Sequence, residues 1–127
     1  MKRRAFVGTI QVAAASVTAA LVFAAAPATA DHVRELLGKD QWTEALVEAR
    51  ALVAEAPNPA ASTALGEALY RAGLIDDAGE VLAPLAAAND APARALAQLG
   101  LVRVAQGKDG EAVTLMERAV AAAPRDP

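Results

Sequence analysis

The chain offers few side chains that could act as a nucleophile, a general base or a metal ligand. His32 is the only histidine, Ser62 is the only serine after residue 30, and the chain has no cysteine. On paper His32 could activate Ser62, but Ser62 falls in a predicted first helical turn, where serine is common for structural reasons. A zinc site needs three or four convergent ligands, which here would be nearly all carboxylates. We therefore expect no catalytic residue, no metal and no cofactor, and we expect that the protein is not an enzyme.

Two short segments look like functional motifs only at first sight. Asp76-Asp77 could form a carboxylate pair or contact calcium, but acidic residues also stabilise the positive end of a helix dipole. Gly107-Lys108-Asp109-Gly110 lacks the spacing, the preceding strand and the Ser or Thr after Lys that a phosphate-binding loop requires. We interpret the first as a solvated helix start and the second as a turn between two helices.

The distribution of charge argues against one class of partner. All fifteen acidic residues lie after Ala30, but only nine of the twelve basic residues do, so residues 31–127 carry a net charge of −6. Affinity for nucleic acid comes from clustered Lys and Arg, and the sequence has no such cluster after residue 30. Nucleic acid is therefore not an expected partner.

The elements that would position a site repeat along the chain at a fixed interval. Leu65-Gly66, Gly73, Ala78 and Leu82 recur as Leu99-Gly100, Gly107, Ala112 and Met116, and every pair is separated by the same number of positions. A fixed period of about 34 residues indicates an array built from one supersecondary unit.

Local signals predict that each unit is a pair of helices. Asn58 is a good N-cap and Pro59 suits the first helical position, so a helix is predicted from Pro59 to Ala72. Gly73 ends it, and a second helix begins near Asp76. The last copy repeats the scheme, with helices near 92–106 and 110–122 and Asp109 as the cap. Two helices joined this tightly must be antiparallel neighbours.

This spacing resembles the tetratricopeptide repeat (TPR) family over roughly residues 40 to 124. The match extends to Trp42 and Ala45, which stand where the family favours a large aromatic residue and an alanine, and to Pro124 near the end of a unit. The resemblance implies an all-α fold: a short right-handed helical-hairpin solenoid of about 2.5 TPR-like repeats, with five to six helices, in residues 31–127. The first copy is expected to be incomplete, because only Asp31 to Leu37 remain for its first helix.

The resemblance also implies a binding face. In this family the first helices line a concave face that receives an extended peptide or a partner helix. The register places these partner-binding residues there: Thr63, Glu67, Tyr70 and Arg71 from one repeat, and Arg94, Ala97, Leu101 and Val104 from the next. The Lys and Asn with which the chaperone-binding branch grips a terminal carboxylate are absent, since those positions hold Thr63, Ala64 and Glu67, then Ala97, Gln98 and Leu101. For Tyr70, packing on the neighbouring repeat is an equally good interpretation.

Residues 1–30 are predicted to be a signal peptide that lies outside the fold. Lys2, Arg3 and Arg4 precede an uncharged run over residues 5–26, and Ala28-Thr29-Ala30 offers a small-x-small cleavage site. Arg3-Arg4-Ala5-Phe6-Val7 resembles the twin-arginine export motif, although Lys2 and Gly8 depart from it; an ordinary secretory signal is the alternative. The sequence thus predicts an exported protein, periplasmic or extracellular. In a further alternative, residues 5–26 stay uncut and anchor the chain in a membrane, since about 20 apolar residues can span a bilayer.

The last predicted helix carries Val113, Leu115, Met116 and Val120, and no further helix follows it in the sequence to cover them. We expect this end either to pair with a second copy or to dock on a partner. The leading hypothesis is an exported adapter that holds a partner peptide or helix in a TPR-like groove. The alternative is a structural, homodimeric module that associates through its uncapped C-terminal helix. A third, an enzyme or accessory cofactor protein, has only the twin-arginine resemblance in its favour.

Overall fold

The computed structural model describes residues 29–125, and this part of the chain is all-α. Its six helices are α1 (Ala30–Gly38), α2 (Trp42–Glu55), α3 (Pro59–Arg71), α4 (Ile75–Ala86), α5 (Ala93–Ala105) and α6 (Asp109–Ala122), followed by a 3-10 turn at Ala123–Arg125. No strand occurs within residues 29–125. The predicted all-helical class is therefore confirmed.

Each helix packs against the next one along the chain, so that α1–α2, α3–α4 and α5–α6 form three hairpins. The first helices of successive hairpins also pack on each other, α1 on α3 and α3 on α5. No comparable packing joins α2 to α4 or α4 to α6 within residues 29–125. The three first helices therefore lie side by side and share one face of the molecule.

Alanine and a few large aliphatic residues form the core. One cluster of buried residues centres on Val33 of α1 and includes alanines of α2 and α3, and another centres on Leu82 of α4 and includes residues of α5 and α6. Leu46 and Leu65 pack against both clusters, so the buried interior is continuous from α1 to α6. Because alanine side chains are short, neighbouring helices approach closely, and small changes of volume at these contacts are costly.

The same turn closes all three hairpins. In each, an N–H bonds to a carbonyl five residues earlier: Gln41 to Leu36 (2.9 Å), Leu74 to Leu69 (2.9 Å) and Lys108 to Arg103 (2.8 Å). The residue before each donor is left-handed: Gly73 has φ 82° and Gly107 has φ 77°, but the first hairpin has Asp40 there, with φ 58°. This is the helix C-terminal arrangement that glycine adopts without strain and that aspartate tolerates.

The first hairpin is more complete than the sequence predicts. Its first helix, expected only over Asp31–Leu37, has nine residues and ends in the same turn as α3 and α5, although each of those has thirteen. Thr29 caps it, since its hydroxyl accepts a hydrogen bond from the N–H of His32 at 3.1 Å. Thr29 belongs to the predicted signal peptide, so cleavage after Ala30 would remove this cap.

The predicted helix boundaries are confirmed around α3 and need one correction at α6. Asn58 caps α3 through a 2.9 Å bond from the N–H of Ala61, Pro59 is the first helical residue, and Gly73 follows the end of the helix. The prediction of Asp109 as the N-cap of the last helix is wrong, because α6 begins at Asp109 and Lys108 holds the N-cap position. The turn itself dictates this: the residue after the left-handed position becomes the cap, whatever its side chain.

Two arginines tie successive hairpins together. Arg71 donates from Nη2 to the carbonyl of Leu37 at 3.0 Å, and Arg118 donates from Nη2 to the carbonyl of Ala86 at 2.7 Å. Both carbonyls lie in the last turn of an earlier helix, where carbonyls lack helical partners and the dipole favours a cation.

Within residues 29–125, no helix is long and apolar enough to cross a membrane. The proposed signal peptide and the alternative anchor over residues 5–26 lie outside the described part of the chain, apart from Thr29 and Ala30.

Candidate functional site

The side-by-side first helices α1, α3 and α5 form what we term the alternate-helix face. Two neighbouring clefts lie on it, of about 250 and 620 Å³. The smaller is lined by residues that include Tyr70, Gln98 and Leu101, and the larger by Thr63 and neighbouring small residues. Arg34 and Arg94 line both clefts, so the two form one surface with charged side chains at its centre.

A carboxylate lies on the floor of this face. Glu67 of α3 is only 8 % exposed, and its Oε1 lies 3.5 Å from Nε of Arg94 and 3.8 Å from Nε of Arg34. Neither distance is that of a hydrogen bond, and within the described residues both Oε1 of Glu67 and Nε of Arg34 are buried without a hydrogen-bond partner. The floor of the face thus holds a buried donor and a buried acceptor of opposite charge that lie too far apart to hydrogen-bond each other.

Burial also affects the protonation of this carboxylate. Desolvation raises the pKa of Glu67 above its ordinary value, and the positive charges of Arg94, Arg34 and Arg71 offset part of the rise. The loss of hydration is therefore the dominant effect on the Glu67 pKa, although the three guanidinium groups favour the charged form.

Two of the arginines are also held by other groups. Arg34 donates from Nη1 to Oδ1 of Asp31 at 2.9 Å, and Arg71 bonds the Leu37 carbonyl and lies 3.7 Å from Oδ1 of Asp40. Arg94 has Glu67 as its ionic partner, and half of its side chain is exposed. Arg94 is thus the guanidinium on this face with the most freedom to contact a ligand.

The predicted partner-binding residues fall into three groups. Tyr70, Arg71, Arg94 and Leu101 line the smaller cleft together with Glu67. Thr63 lines the larger cleft, but it is buried and its hydroxyl donates to the carbonyl of Pro59 at 2.7 Å. Val104 lines neither of these two clefts and contributes to a different surface, described below.

Sequence reasoning missed Arg34 as a lining residue, and it assigned Gln98 to a groove position without counting it among the partner-binding residues. Glu67 and Leu101 are one full repeat apart, and Arg34 precedes Glu67 by one position less than a repeat, so the three hold equivalent positions on α1, α3 and α5. Counting back from Glu67 by the spacing of the left-handed residues Asp40 and Gly73, one position short of a repeat, would have found Arg34. The signal was hidden because that helix is short and because Asp40 replaces the glycine that marks the other two turns.

His32 and Asp76, two residues that the sequence analysis considered for chemistry, each contact a side chain from a neighbouring part of the fold. Nδ1 of His32 lies 2.7 Å from Oε2 of Glu48 on α2, and Oδ1 of Asp76 accepts a hydrogen bond from Nε2 of Gln106 at 2.9 Å. The first contact joins α1 to α2, and the second joins α4 to the residue that follows α5. Within residues 29–125, no group of three or more His, Asp and Glu side chains is arranged to hold a metal ion.

A second surface lies at the last hairpin, which we term the end face. Val104, Ala112, Val113, Met116 and Val120 line an open, largely apolar cleft of about 650 Å³, with Asp109 and Glu117 beside them. Three of these residues are strongly exposed: Val104 at 55 %, Val113 at 58 % and Val120 at 73 %. Exposed apolar residues scattered singly are ordinary, but these three border one cleft and form a contiguous group.

No protein-family model matches this chain, and neither does any curated protein sequence. The resemblance to the TPR family stays a prediction from the spacing of its residues.

Proposed function

We propose that this protein is a short helical-hairpin solenoid of the TPR type, of about 2.5 repeats, that acts as an adapter and holds a partner protein. Three observations support the architecture. The second helices begin at Trp42, Ile75 and Asp109, so the last two starts are one full repeat apart and the first two are one position closer. All three hairpins end their first helix with the same turn, and successive first helices pack together.

The alternate-helix face is the surface that we propose binds the partner protein. Its buried pair consists of a donor, Nε of Arg34, and an acceptor, Oε1 of Glu67, each without a hydrogen-bond partner in the described residues. Leaving such groups unpaired costs about 1–3 kcal/mol each. The half-exposed guanidinium of Arg94 lies beside this pair, and the backbone of an extended peptide offers it a carbonyl acceptor at every residue.

The side chains around this pair favour recognition of a protein. Tyr70 and Arg94 belong to the residue types that most often anchor protein interfaces, and Leu101 adds an exposed apolar contact beside them. We propose export as the location, because the basic start, uncharged run and small-x-small site of residues 1–30 fit a signal peptide.

In-cell cross-linking followed by mass spectrometry tests this proposal. Wild-type protein is compared with a face variant, Tyr70→Ala/Arg94→Ala/Leu101→Ala. The matched control removes an aromatic, an arginine and an aliphatic residue from exposed positions on α2: Trp42→Ala/Arg50→Ala/Val47→Ala. Circular dichroism first establishes that both variants keep their helical content.

We expect a partner that is captured by the wild-type protein and by the α2 control but lost by the face variant. Equal capture by all three proteins would contradict binding through this face. Capture of nothing by the folded wild-type protein would contradict the adapter function itself. Fractionation of the cells tests export, because an exported protein leaves the cytoplasmic fraction and loses the mass of its signal peptide.

A further inference from the structure

The end face lies at the positions that, in the α3–α4 hairpin, form the surface against which helix α5 packs. We call such a surface a helix seat. Moving back by one repeat, Val104, Ala112, Val113, Met116 and Val120 correspond to Tyr70, Ala78, Gly79, Leu82 and Ala86. These earlier residues pack against α5, within the core that α4 shares with α5 and around Gly79. The same positions on α5–α6 therefore have the backbone geometry of a helix seat.

The two seats differ in what covers them. Leu82 is 0 % exposed and Ala86 is 4 % exposed, because α5 lies over them. Their counterparts are half-buried Met116 and the strongly exposed Val120, and no element within residues 29–125 lies over them. The second seat nevertheless has larger aliphatic side chains than the first at two positions, Val113 in place of Gly79 and Val120 in place of Ala86.

Charge distinguishes the second seat from the first. Asp109 and Glu117 stand where the α3–α4 hairpin has the uncharged Ile75 and Ala83, and they are the charged residues that line this cleft. We infer that the end face binds an amphipathic helix of a partner protein, placed as α5 is placed on α3–α4, with an apolar stripe flanked by Lys or Arg. Charge complementarity of this kind selects among helices of similar apolar content.

The seat also restricts the size of one residue on the occupant. A Cβ at Gly79 would lie 3.4 Å from Cγ1 of Val102 on α5, which is an ordinary contact distance, so the additional γ carbons of a valine there would have no room. The second seat has the larger Val113 at this position. The bound helix therefore needs Ala or Gly where α5 has Val102.

A second copy of the chain fits this face poorly. Glu117 lies in the middle of the stripe between Val113 and Val120, so a two-fold axis through the stripe would place it beside its own copy. A head-to-tail arrangement would bring α1 to the face. The exposed side chains of α1 are polar or charged, Asp31 and Glu35 among them, and they form no apolar stripe. The structure therefore favours a different protein as the occupant.

Fluorescence anisotropy with two designed peptides and the purified full chain tests this inference. Both peptides carry the sequence of residues 92–106 with Val102→Ala, stapled to hold the helix, and differ only in having Lys or Glu beside the apolar stripe. The protein variants are Glu117→Lys and Val120→Ser, and the matched controls are Glu44→Lys and Val47→Ser on exposed positions of α2. Light scattering of each protein records its oligomeric state.

We expect the Lys peptide to bind at least about tenfold more tightly than the Glu peptide, which corresponds to about 1.4 kcal/mol. Glu117→Lys should abolish this preference, because the new ammonium group offsets Asp109, and Val120→Ser should weaken the binding of both peptides. The α2 controls should change neither. Equal binding of the two peptides, or binding of neither, would overturn the inference. A dimer that Val120→Ser dissociates would assign the face to a second copy instead.

Discussion

The α3–α4 and α5–α6 hairpins share a backbone plan but differ in their surroundings. Their first helices span 59–71 and 93–105, one full repeat apart at both ends, and each is followed by a left-handed glycine. The first of these hairpins has α1–α2 on one side and α5 on the other, while α6 has its outer side open within residues 29–125. The repeat therefore determines the backbone geometry of both hairpins, whereas the neighbouring helix determines how much a given side chain contributes to stability.

The largest predicted contrast lies between Leu82 and Met116, which hold equivalent positions on α4 and α6. Leu82 is fully buried, and Leu82→Ala should lower the free energy of unfolding by about 2–5 kcal/mol through lost burial and a cavity. Met116 borders the open cleft, so Met116→Ala should cost about 1 kcal/mol or less. Urea denaturation of both variants measures the difference. Similar losses would mean that the end face is covered in solution.

The next contrast concerns the glycines that face these two residues. A Cβ at Gly66 would lie 2.5 Å from Cγ of Leu82, whereas a Cβ at Gly100 would lie 2.8 Å from Cε of Met116. Leu82 is enclosed, but the flexible end of Met116 has room to move. Overpacking costs about 1–3 kcal/mol, and Gly→Ala inside a helix recovers up to about 1 kcal/mol.

We therefore expect Gly66→Ala to lower the free energy of unfolding by about 1–2 kcal/mol, and Gly100→Ala to change it by no more than about 0.5 kcal/mol. Thermal melts followed by circular dichroism measure both. The double variant Gly66→Ala/Leu82→Ala is the control, because it removes the clash and should lose less than the sum of its two changes. Additive losses would show that the clash does not exist.

How well the fold could be predicted depended on how clearly each hairpin shows the repeat. Asn58, Pro59 and Gly73 are local signals that do not need the rest of the molecule, and they located α3 to within one residue. The first hairpin was harder to predict. Asp40 conceals its left-handed turn, and its offset, one position short of a full repeat, breaks the register that links the other two.

The turns give a third and smaller contrast, between Asp40 and Gly73. Both are left-handed, at φ 58° and 82°, but only glycine adopts that conformation without strain. Asp40→Gly should raise the free energy of unfolding by about 0.5–1 kcal/mol, and Gly73→Asp should lower it by about the same amount. Thermal melts of the two variants check the opposite signs. Changes of the same sign would contradict a shared turn.

The candidate site could also be predicted only in part, because the sequence shows which helix each residue lies on but not how closely the helices pack. The register placed Tyr70, Arg94 and Leu101 on helices that the structure brings together. It gave no signal that Glu67 would be buried against Arg34, because that depends on how closely α1 packs on α3. Val104 lies near the end of α5. At that position the side chain is turned to α6 and the open end of the molecule rather than to α3, so it lines the end face.

The last contrast concerns pH, because Glu67 titrates whereas Leu101, at the equivalent position on α5, does not. Because burial raises the folded-state pKa of Glu67 above its ordinary value of 4.5, the folded protein binds this proton more tightly than the unfolded chain does. The stability that this proton contributes is complete below the unfolded-state pKa and is lost as pH rises through the folded-state pKa. Glu67→Gln removes the titrating group, so its melting temperature relative to wild type should rise as the pH increases above about 4.5, the ordinary pKa of this carboxyl.

Arg94→Ala sharpens the same prediction, because it should act in the opposite direction. Arg94 is the strongest of the three arginine effects that hold the Glu67 pKa down, and its Nε lies 3.5 Å from the carboxylate. Without it the folded-state pKa should rise further, and the loss of stability with increasing pH should become larger than in the wild-type protein. In Glu67→Gln/Arg94→Ala this extra pH dependence should vanish, since no carboxylate remains to respond. If Arg94→Ala steepened the pH dependence equally with and without Glu67, the coupling would lie elsewhere on the surface.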